Sequence, residues 1–458
     1  MIKFLKHRGL SKFVGLLAVA LVARQGFAQK PDARQATTLI TNVRIFDGKS
    51  PTLSEPINVL VRGNLIEKIS KDRVPADRNA GMTVLDGRGG TLMPGLIDAH
   101  YHMLMSTIPP SLLMTADSTY TMLRSSKAAG EVLMRGFTSV RDVGGPAFGL
   151  KRAIDEGIAS GPRIWPSGAT ISQTSGHGDF RTVHDVPRAA NDPLHFTERM
   201  GVTAVADGVA EVLRRTREQL MRGASQIKLM AGGGVVSDFD PLDVTQYTEA
   251  EIRAVVEAAE NWGTYVTVHA YTPRAIQRAI HAGIKCIEHG HLADEATAKL
   301  MAEKGIWWSL QPFLDDEDAI PFPEGSASRK KQIKISSGTD TAYGLAKKYK
   351  IKTAWGTDTL FDEKRAGRQG AQLAKLVRWY TPAEILKMAT ADNAELLALA
   401  GPRNPYPGKL GVVEEGALAD LLLVDGDPIS NIKLIEEPEK NLVIIMKDGK
   451  VYKNTLPK

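Results

Sequence analysis

The sequence predicts an α/β protein: a (β/α)8 TIM-like barrel with a small β-sandwich assembled from both ends of the chain. Three observations point there. Eight short apolar runs, near residues 94, 138, 164, 227, 267, 287, 309 and 354, read as parallel strands buried on both faces. Helical stretches separate them. Thr248 with Glu251, followed by Ile252, Val255, Val256 and Ala259, makes a capping box ahead of an apolar stripe, and Thr381-Pro382 with Glu384 makes another. The third observation is β-rich sequence on either side of this alternation, in 37–47, 57–71 and 82–85 before it and in 418–424 and 442–452 after it.

Taken in order, residues 1–28 read as a secretory signal peptide. Lys3, Lys6, Arg8 and Lys12 precede an apolar stretch at 13–23, and Gly26-Phe27-Ala28 offers small residues for cleavage. That stretch is too short for a stable membrane anchor, which needs about 20 residues. Export to the periplasm or beyond is the expectation. Residues 29–92 form the first part of the sandwich, with hairpin signals at Asp47-Gly48 and Arg62-Gly63-Asn64. The barrel occupies 93–400, enough for a fold that needs about 250 residues. Within 401–458, the Pro-rich Gly401-Pro402-Arg403-Asn404-Pro405-Tyr406-Pro407 is a linker, and Lys447-Asp448-Gly449-Lys450 turns the last hairpin.

Composition removes several functions. The formal net charge of the 458-residue chain is +6, but Lys3, Lys6, Arg8, Lys12 and Arg24 supply five of those charges with no acid among them in 1–28. A balance of +1 gives no electrostatic footprint for nucleic acid. The run Arg329-Lys330-Lys331 reads as a solvated helix face. Cys286 is the one cysteine, which forbids an internal disulfide, and its apolar strand makes it a small buried hydrophobe.

The chemistry sits at strand ends. His100 and His102 lie two apart in Leu96-Ile97-Asp98-Ala99-His100-Tyr101-His102, so an extended chain aims both imidazoles at one ion. Lys228, His269, His289 and Asp358 each close or follow another apolar run. Active sites of (β/α)8 barrels sit at the carboxyl ends of the strands, so the six residues make a ligand set for two divalent metals. Lys228 is the odd member, because an ammonium cannot ligate a cation; snorkelling to the rim, or pairing with Asp240 or Asp243, are its other readings.

With these residues in place, the chain resembles the metal-dependent amidohydrolase superfamily. The segments are 94–102, the Lys228 strand, His269-Ala270, Glu288-His289-Gly290, Gly356-Thr357-Asp358, and a tail from Gly416 to Pro428. Within it, the chain is most similar to the imidazolonepropionase-like branch, which contains Xaa-Pro dipeptidases, carboxypeptidases and bacterial ochratoxin-degrading amidohydrolases. The resemblance implies that His100, His102 and Asp358 hold one ion, that His269 and His289 hold the other, and that Lys228 bridges both as a CO2-derived carbamate. Carboxylation needs a neutral amine, which burial near cations favours. Zn2+ is the first choice of metal for such imidazole and carboxylate donors, with Mn, Co or Fe also fitting. Asp358 takes the general acid–base role.

Substrate contacts are assigned to His177, Tyr271, His291 and Arg141. A loop histidine and a packed ring are the alternatives for His177 and Tyr271, and an ion pair with Asp142 is the alternative for Arg141. His291 shares a face with His289 and could replace it as a ligand. The reaction implied is hydrolysis of an amide or peptide bond to an amino acid, on a small molecule or dipeptide; ochratoxin A, cleaved to ochratoxin alpha and phenylalanine, fits that class. A cyclic-amide hydrolase or a mononuclear deaminase is the enzymatic alternative, although a deaminase does not need the lysine. A catalytically dead scaffold is the non-enzymatic one. The family also implies a homo-oligomer, up to an octamer.

Overall fold

Strands from the two ends of the chain meet in one sheet. In this computed structural model, which describes residues 36–75, 81–189 and 192–457, the first five strands are β1 (Thr37–Ile45), β2 (Ile57–Arg62), β3 (Leu65–Ser70), β4 (Thr83–Asp86) and β5 (Thr91–Pro94). The expected leader, 1–28, lies outside the described residues. Ten strands follow: β6 (Leu96–Tyr101), β7 (Phe137–Asp142), β8 (Arg163–Pro166), β9 (Thr170–Ser172), β10 (Thr203–Val205), β11 (Ile227–Met230), β12 (Val266–Ala270), β13 (Cys286–His289), β14 (Trp307–Leu310) and β15 (Thr353–Trp355). The last three are β16 (Leu421–Val424), β17 (Leu442–Lys447) and β18 (Lys450–Asn454).

The terminal sheet runs β18-β17-β16-β5-β1-β2-β3, with β4 also on β1. β1 changes partners along its length: Thr38–Thr41 pair with β4, whereas Arg44 and Ile45 pair with β5. The two faces of this sheet serve two cores. Leu92, Leu421, Leu423, Ile444 and Met446 pack with Ile40, Val59 and Ile66, while the alternate residues Met93, Leu422 and Ile445 join the main core of the molecule. A strand buried on both faces must be apolar throughout, as Leu421-Leu422-Leu423-Val424 is.

Two of the expected hairpins form. Gly63-Asn64 joins β2 to β3, and Asp448-Gly449, both at positive φ (55° and 71°), joins β17 to β18. Asp47-Gly48 does not make one, since it opens the longer connection to β2. Gly48 is there for close approach: a Cβ would lie 2.4 Å from the Gly411 carbonyl oxygen. The Pro-rich linker is docked as well. Asn404 Oδ1 accepts from Trp165 Nε1 at 3.0 Å, and Tyr406 Oη accepts from Ile164 N–H at 3.2 Å.

The ten middle strands form two parallel sheets, β6-β7-β8 and β10-β9-β11-β12-β13-β14-β15. They depart from the eight expected runs in two places. The run near 94 is cut at Gly95, so that β5 belongs to the terminal sheet and β6 opens the parallel set. β9 and β10, of three residues each, are strands the sequence reading did not separate out, and the run near 164 is interrupted between β8 and β9. Hydrogen bonds bridge the two sheets on both sides. Ser225 N–H donates to the Pro166 carbonyl at 2.8 Å, and Asp358 N–H donates to the His100 carbonyl at 2.9 Å. Asn393 Nδ2 donates to the carbonyls of both Ile97 (2.7 Å) and Trp355 (2.8 Å). Both expected capping boxes are formed, starting the helices Glu249–Trp262 and Pro382–Lys387.

A buried ion pair joins the terminal sheet to β8. Arg163 forks onto Asp420 (2.9 and 3.2 Å) and reaches Asp448 at 2.7 Å; the Arg163 and Asp420 side chains are 7% and 2% exposed. Removing one partner of such a pair strands the other charge. Asp420→Ala is therefore expected to lower unfolding free energy by about 3 kcal/mol, less than the worst case because Asp448 remains. Urea denaturation reads it, and a loss below about 1 kcal/mol would show that the pair does not hold the sheet in place.

Candidate active site

Six side chains from five parallel strands and the turns after them meet at one end of the sheets. His100 lies in β6, His102 just beyond it, Lys228 in β11 and His269 in β12; His289 ends β13, and Asp358 follows β15. All six line one cavity of about 280 Å3. Two of them hold the backbone in the left-handed region, His289 at φ 73° and Asp358 at φ 49°. Such a conformation costs on the order of 1–3 kcal/mol in a residue with a Cβ, and it marks positions where the surroundings dictate where the side chain goes.

Each imidazole is held from behind by one nitrogen and turns the other to the cavity. His100 Nδ1 bonds Glu288 Oε2 at 2.8 Å, His102 Nδ1 donates to the Gly144 carbonyl at 3.0 Å, and His289 Nδ1 bonds Gln311 Oε1 at 2.7 Å. For His269 the anchored atom is Nε2, which donates to the Gly233 carbonyl at 3.1 Å. Anchoring of this kind fixes the orientation of each ring and aims its other nitrogen at the cavity, as a metal-binding histidine requires. His100 Nε2 and His102 Nε2 converge on Asp358 Oδ1, at 3.3 and 3.2 Å. One ligand atom each from His100, His289 and Asp358 lie within 4.8 Å of one another, a group that could hold a metal ion.

Lys228 fits this donor set. Its side chain is buried, and among the described residues Nζ has neither a hydrogen bond nor an ion pair, so Asp240 and Asp243 do not claim it. Burial pulls its ammonium down to about 8, against the attraction of Glu288 and Asp358. Asp358 shows the opposite balance. Burial opposes its ionisation, but the facing imidazoles of His100 and His102 outweigh burial and hold the carboxyl well below the usual range.

The four candidate substrate residues separate into two groups. His177 and Tyr271 line the cavity beside His269: the His177 ring stacks on His269 with centroids 4.0 Å apart, and the Tyr271 ring meets it edge-on at 4.9 Å. Neither His177 Nε2 nor the Tyr271 hydroxyl has a hydrogen-bond partner among the described residues, so both can serve a ligand. His291 lies against Phe313, donates from Nε2 to the Gln311 carbonyl at 2.8 Å, and leaves Nδ1 buried and unpartnered. Arg141 is not at the cavity. It is wholly buried beneath the cluster, and its partner is Glu288 at 2.6 Å rather than Asp142. Its five N–H donors are taken up by Glu288, the Ala99 carbonyl, Tyr265, Cys286 Sγ and Ser309, which leaves none for a substrate carboxylate.

Sequence reasoning missed the residues that hold the site from behind. Asp98 accepts from the backbone N–H of His100 and from Thr357 N–H and Oγ1, tying the His100 strand to the Asp358 turn. The signal was available, because Asp98 shares the parity of His100 and His102. Gln311 and the carbonyls of Gly144 and Gly233 had none, since nothing local announces a partner so far along the chain.

Comparisons with known proteins identify the family. The sequence profile of the amidohydrolase family matches residues 91–452. Ochratoxinase of Aspergillus niger is 33% identical over 374 residues, covering 79% of this chain and 75% of that protein. Among solved structures, an amidohydrolase is 35% identical with a TM-score of 0.83, covering 92% of this chain and all of its own. A prolidase complexed with N-methylphosphonate-L-proline is 34% identical with a TM-score of 0.82 and the same coverage. A profile over most of the length, and relatives above 30% identity across nearly all of it, place the chain in the amidohydrolase family of metal-dependent hydrolases acting on carbon–nitrogen bonds, in the branch that includes ochratoxinase and the prolidases.

Proposed function

We propose that the protein is a binuclear metal hydrolase that cleaves the amide bond between an acyl group and an amino acid carrying a free carboxylate. The observation that carries this reading is the convergence of four imidazoles, each anchored behind, on Asp358 and an unpaired, buried Lys228. In it, His100, His102 and Asp358 would hold one ion and His269 and His289 the other, and Lys228 would serve both as a carbamate, for which its lowered basicity is the chemical requirement. Zinc suits the donors. The two parallel sheets are read as one closed (β/α)8 barrel spanning 93–400, with 29–92 and 401–458 as the terminal β-domain. Export after loss of residues 1–28 and self-assembly into a homo-oligomer complete the proposal; they rest on the leader pattern and the family resemblance alone.

A pair of divalent ions bound there would bring the pKa of a shared water to about 7 and polarise the scissile carbonyl. Asp358 accepts a proton from the attacking water and passes it to the nitrogen as the C–N bond breaks, so that an acid and an amine leave. Tyr271 and His177, whose hydroxyl and Nε2 have no hydrogen-bond partner among the described residues, pair the amino acid's carboxylate. The remaining wall is largely apolar, with Phe180, Phe313, Leu314, Ile320 and Phe361, which suits a bulky or aromatic acyl group and keeps bulk water out. Ochratoxin A, an aromatic acid joined to phenylalanine, has this form.

Three outcomes are expected. Asp358→Asn keeps the fold and most of the metal but loses about 10²–10⁴-fold in kcat, because an amide cannot take the proton; near-normal turnover would remove Asp358 from the reaction. Lys228→Ala loses metal and activity together, and short carboxylic acids restore part of both by occupying the vacated bridge. Metal analysis beside kinetics reads this, and full activity without added acid would refute a bridging role. Finally, N-acyl-phenylalanine is hydrolysed about 10²-fold or more better, in kcat/KM, than its carboxamide, since a site built to pair a buried charge is left unsatisfied by the analogue. Equal rates would point instead to a cyclic amide.

A further inference from the structure

Two cations line the cavity, Lys228 and Arg365, and the second has no part in the chemistry described so far. Arg365 lies on the short helix Glu363–Gly367 beyond Asp358 and is only 8% exposed. A guanidinium has five N–H donors, and here one of them is used, from Nη2 to the Leu360 carbonyl at 2.9 Å. Nε lies 3.3 Å from Asp362 Oδ2 but is buried without a hydrogen bond, and Nη1 has no partner among the described residues. The buried guanidiniums of Arg141 and Arg163, by contrast, are met on several sides. A charge withdrawn from bulk water with most of its donors unspent needs an acceptor from elsewhere.

Other basic residues near the cavity are already committed. Lys375 holds Asp316 at 2.6 Å and also Asp318, while Arg368 holds Asp318 at 2.6 Å and Glu317 at 2.8 Å. Asp316 and Asp318, which line the cavity, therefore carry their own counter-ions and leave Arg365 alone. Arg329 forks onto Asp315 at 2.6 and 3.1 Å. Lys331 donates from Nζ to the carbonyls of Gly234 (3.0 Å), Ser237 (2.8 Å) and Asp240 (2.8 Å), which uses all three of its donors. Its side chain is only 14% exposed, so Lys331 is no part of a solvated face, contrary to the reading of Arg329-Lys330-Lys331 from sequence.

Arg365 also belongs to one particular part of the wall. Two separate apolar clusters contribute to the cavity: one gathers Tyr271 with Leu242 and Ile335, and the other gathers Leu104, Met105, Ile108 and Val202, with Phe180, Leu360 and Phe361 packed against it. Phe361 N–H donates to the Met105 carbonyl at 2.7 Å, which joins the turn leading to Arg365 to the second cluster. With Tyr271 assigned to the amino acid, the acyl half of the substrate falls to the Met105 cluster. We propose, resting on the amide-hydrolase reading above, that Arg365 is a specificity-determining residue for that half: it pairs a carboxylate carried by an aromatic acyl group whose ring packs on Met105, Phe180 and Phe361. Nη1 with both hydrogens, beside the second hydrogen of Nη2, suits a carboxylate, which accepts two parallel N–H donors. The ring meets apolar carbon and its acidic substituent meets the one guanidinium on this wall, so a neutral acyl group fits the same space but leaves the charge unpaired.

The test uses metal-loaded enzyme, with metal content measured on each variant, and compares N-benzoyl-phenylalanine with N-(carboxybenzoyl)-phenylalanines bearing the second carboxylate ortho, meta or para, each beside its carbamoyl isostere. Wild type is expected to favour at least one carboxybenzoyl substrate over the matching carbamoyl compound by about 10-fold in kcat/KM. Arg365→Met, which keeps an apolar stem, abolishes that preference and leaves N-benzoyl-phenylalanine within about twofold of wild type; Arg365→Lys keeps part of it, and ethylguanidinium restores part of it to Arg365→Ala. A wild type that hydrolyses N-benzoyl-phenylalanine but shows no preference for any acidic isomer overturns the proposal, and this comparison needs no variant to fold. Equal losses on acidic and neutral substrates in Arg365→Met, with metal retained, overturn it too, because they leave Arg365 only its bond to the Leu360 carbonyl. Failure of wild type to hydrolyse any of the N-acyl-phenylalanines defeats the amide-hydrolase reading instead.

Discussion

Everything at the site stands on one buried ion pair. Arg141 and Glu288, neither exposed at all, meet at 2.6 Å under the histidines, and Glu288 passes the contact on to His100 at 2.8 Å. Through the Ala99 carbonyl, Thr267, Cys286 and Ser309 this single pair reaches β6, β7, β12, β13 and β14. Desolvating two charges costs several kcal/mol each, and apolar residues of the same volume would often be as stable. What the pair supplies is direction. A carboxylate held well below its usual range by the guanidinium is a fixed acceptor, and His100 can then present only Nε2 to the cavity.

The same logic repeats outward with neutral partners. Gln311 orients His289, and the carbonyls of Gly144 and Gly233 orient His102 and His269. Asp98 links the β6 strand to the turn after β15 by bonding the His100 and Thr357 backbones. The site is therefore positioned by strands and strand ends, where the backbone moves little, and only its far wall is built from loops. That division matches the chemistry proposed: the groups that would hold metal are fixed by the sheets, and the groups that would meet substrate are set by adjustable segments.

How much of this could be read from sequence follows from the range of the interaction. The His100/His102 spacing, the apolar runs ending in Lys228, His269 and His289, the capping boxes at Thr248 and Thr381 and the turn at Asp448-Gly449 are all local, and all were legible. β9 and β10 were not: each has three residues and, unlike the equally short β15 just ahead of Asp358, neither leads into one of the six candidate ligands. Arg141 and Lys331 were misplaced for a different reason. A charged residue looks the same whether it faces water, a substrate or a carboxylate 147 positions away, and only the tertiary structure decides which. Charge says that a partner must exist; it does not name one.

The left-handed backbone at His289 and Asp358 has an evolutionary reading. A side chain with a Cβ is conformationally unfavourable there, whereas glycine, and to a lesser degree asparagine, is at ease. Drift at these two positions therefore runs downhill in backbone energy and away from catalysis, so a descendant that abandoned hydrolysis for a scaffolding role would relax as it lost its ligands. A histidine and an aspartate at such angles hold their side chains at the cavity at a cost in their own backbone energy.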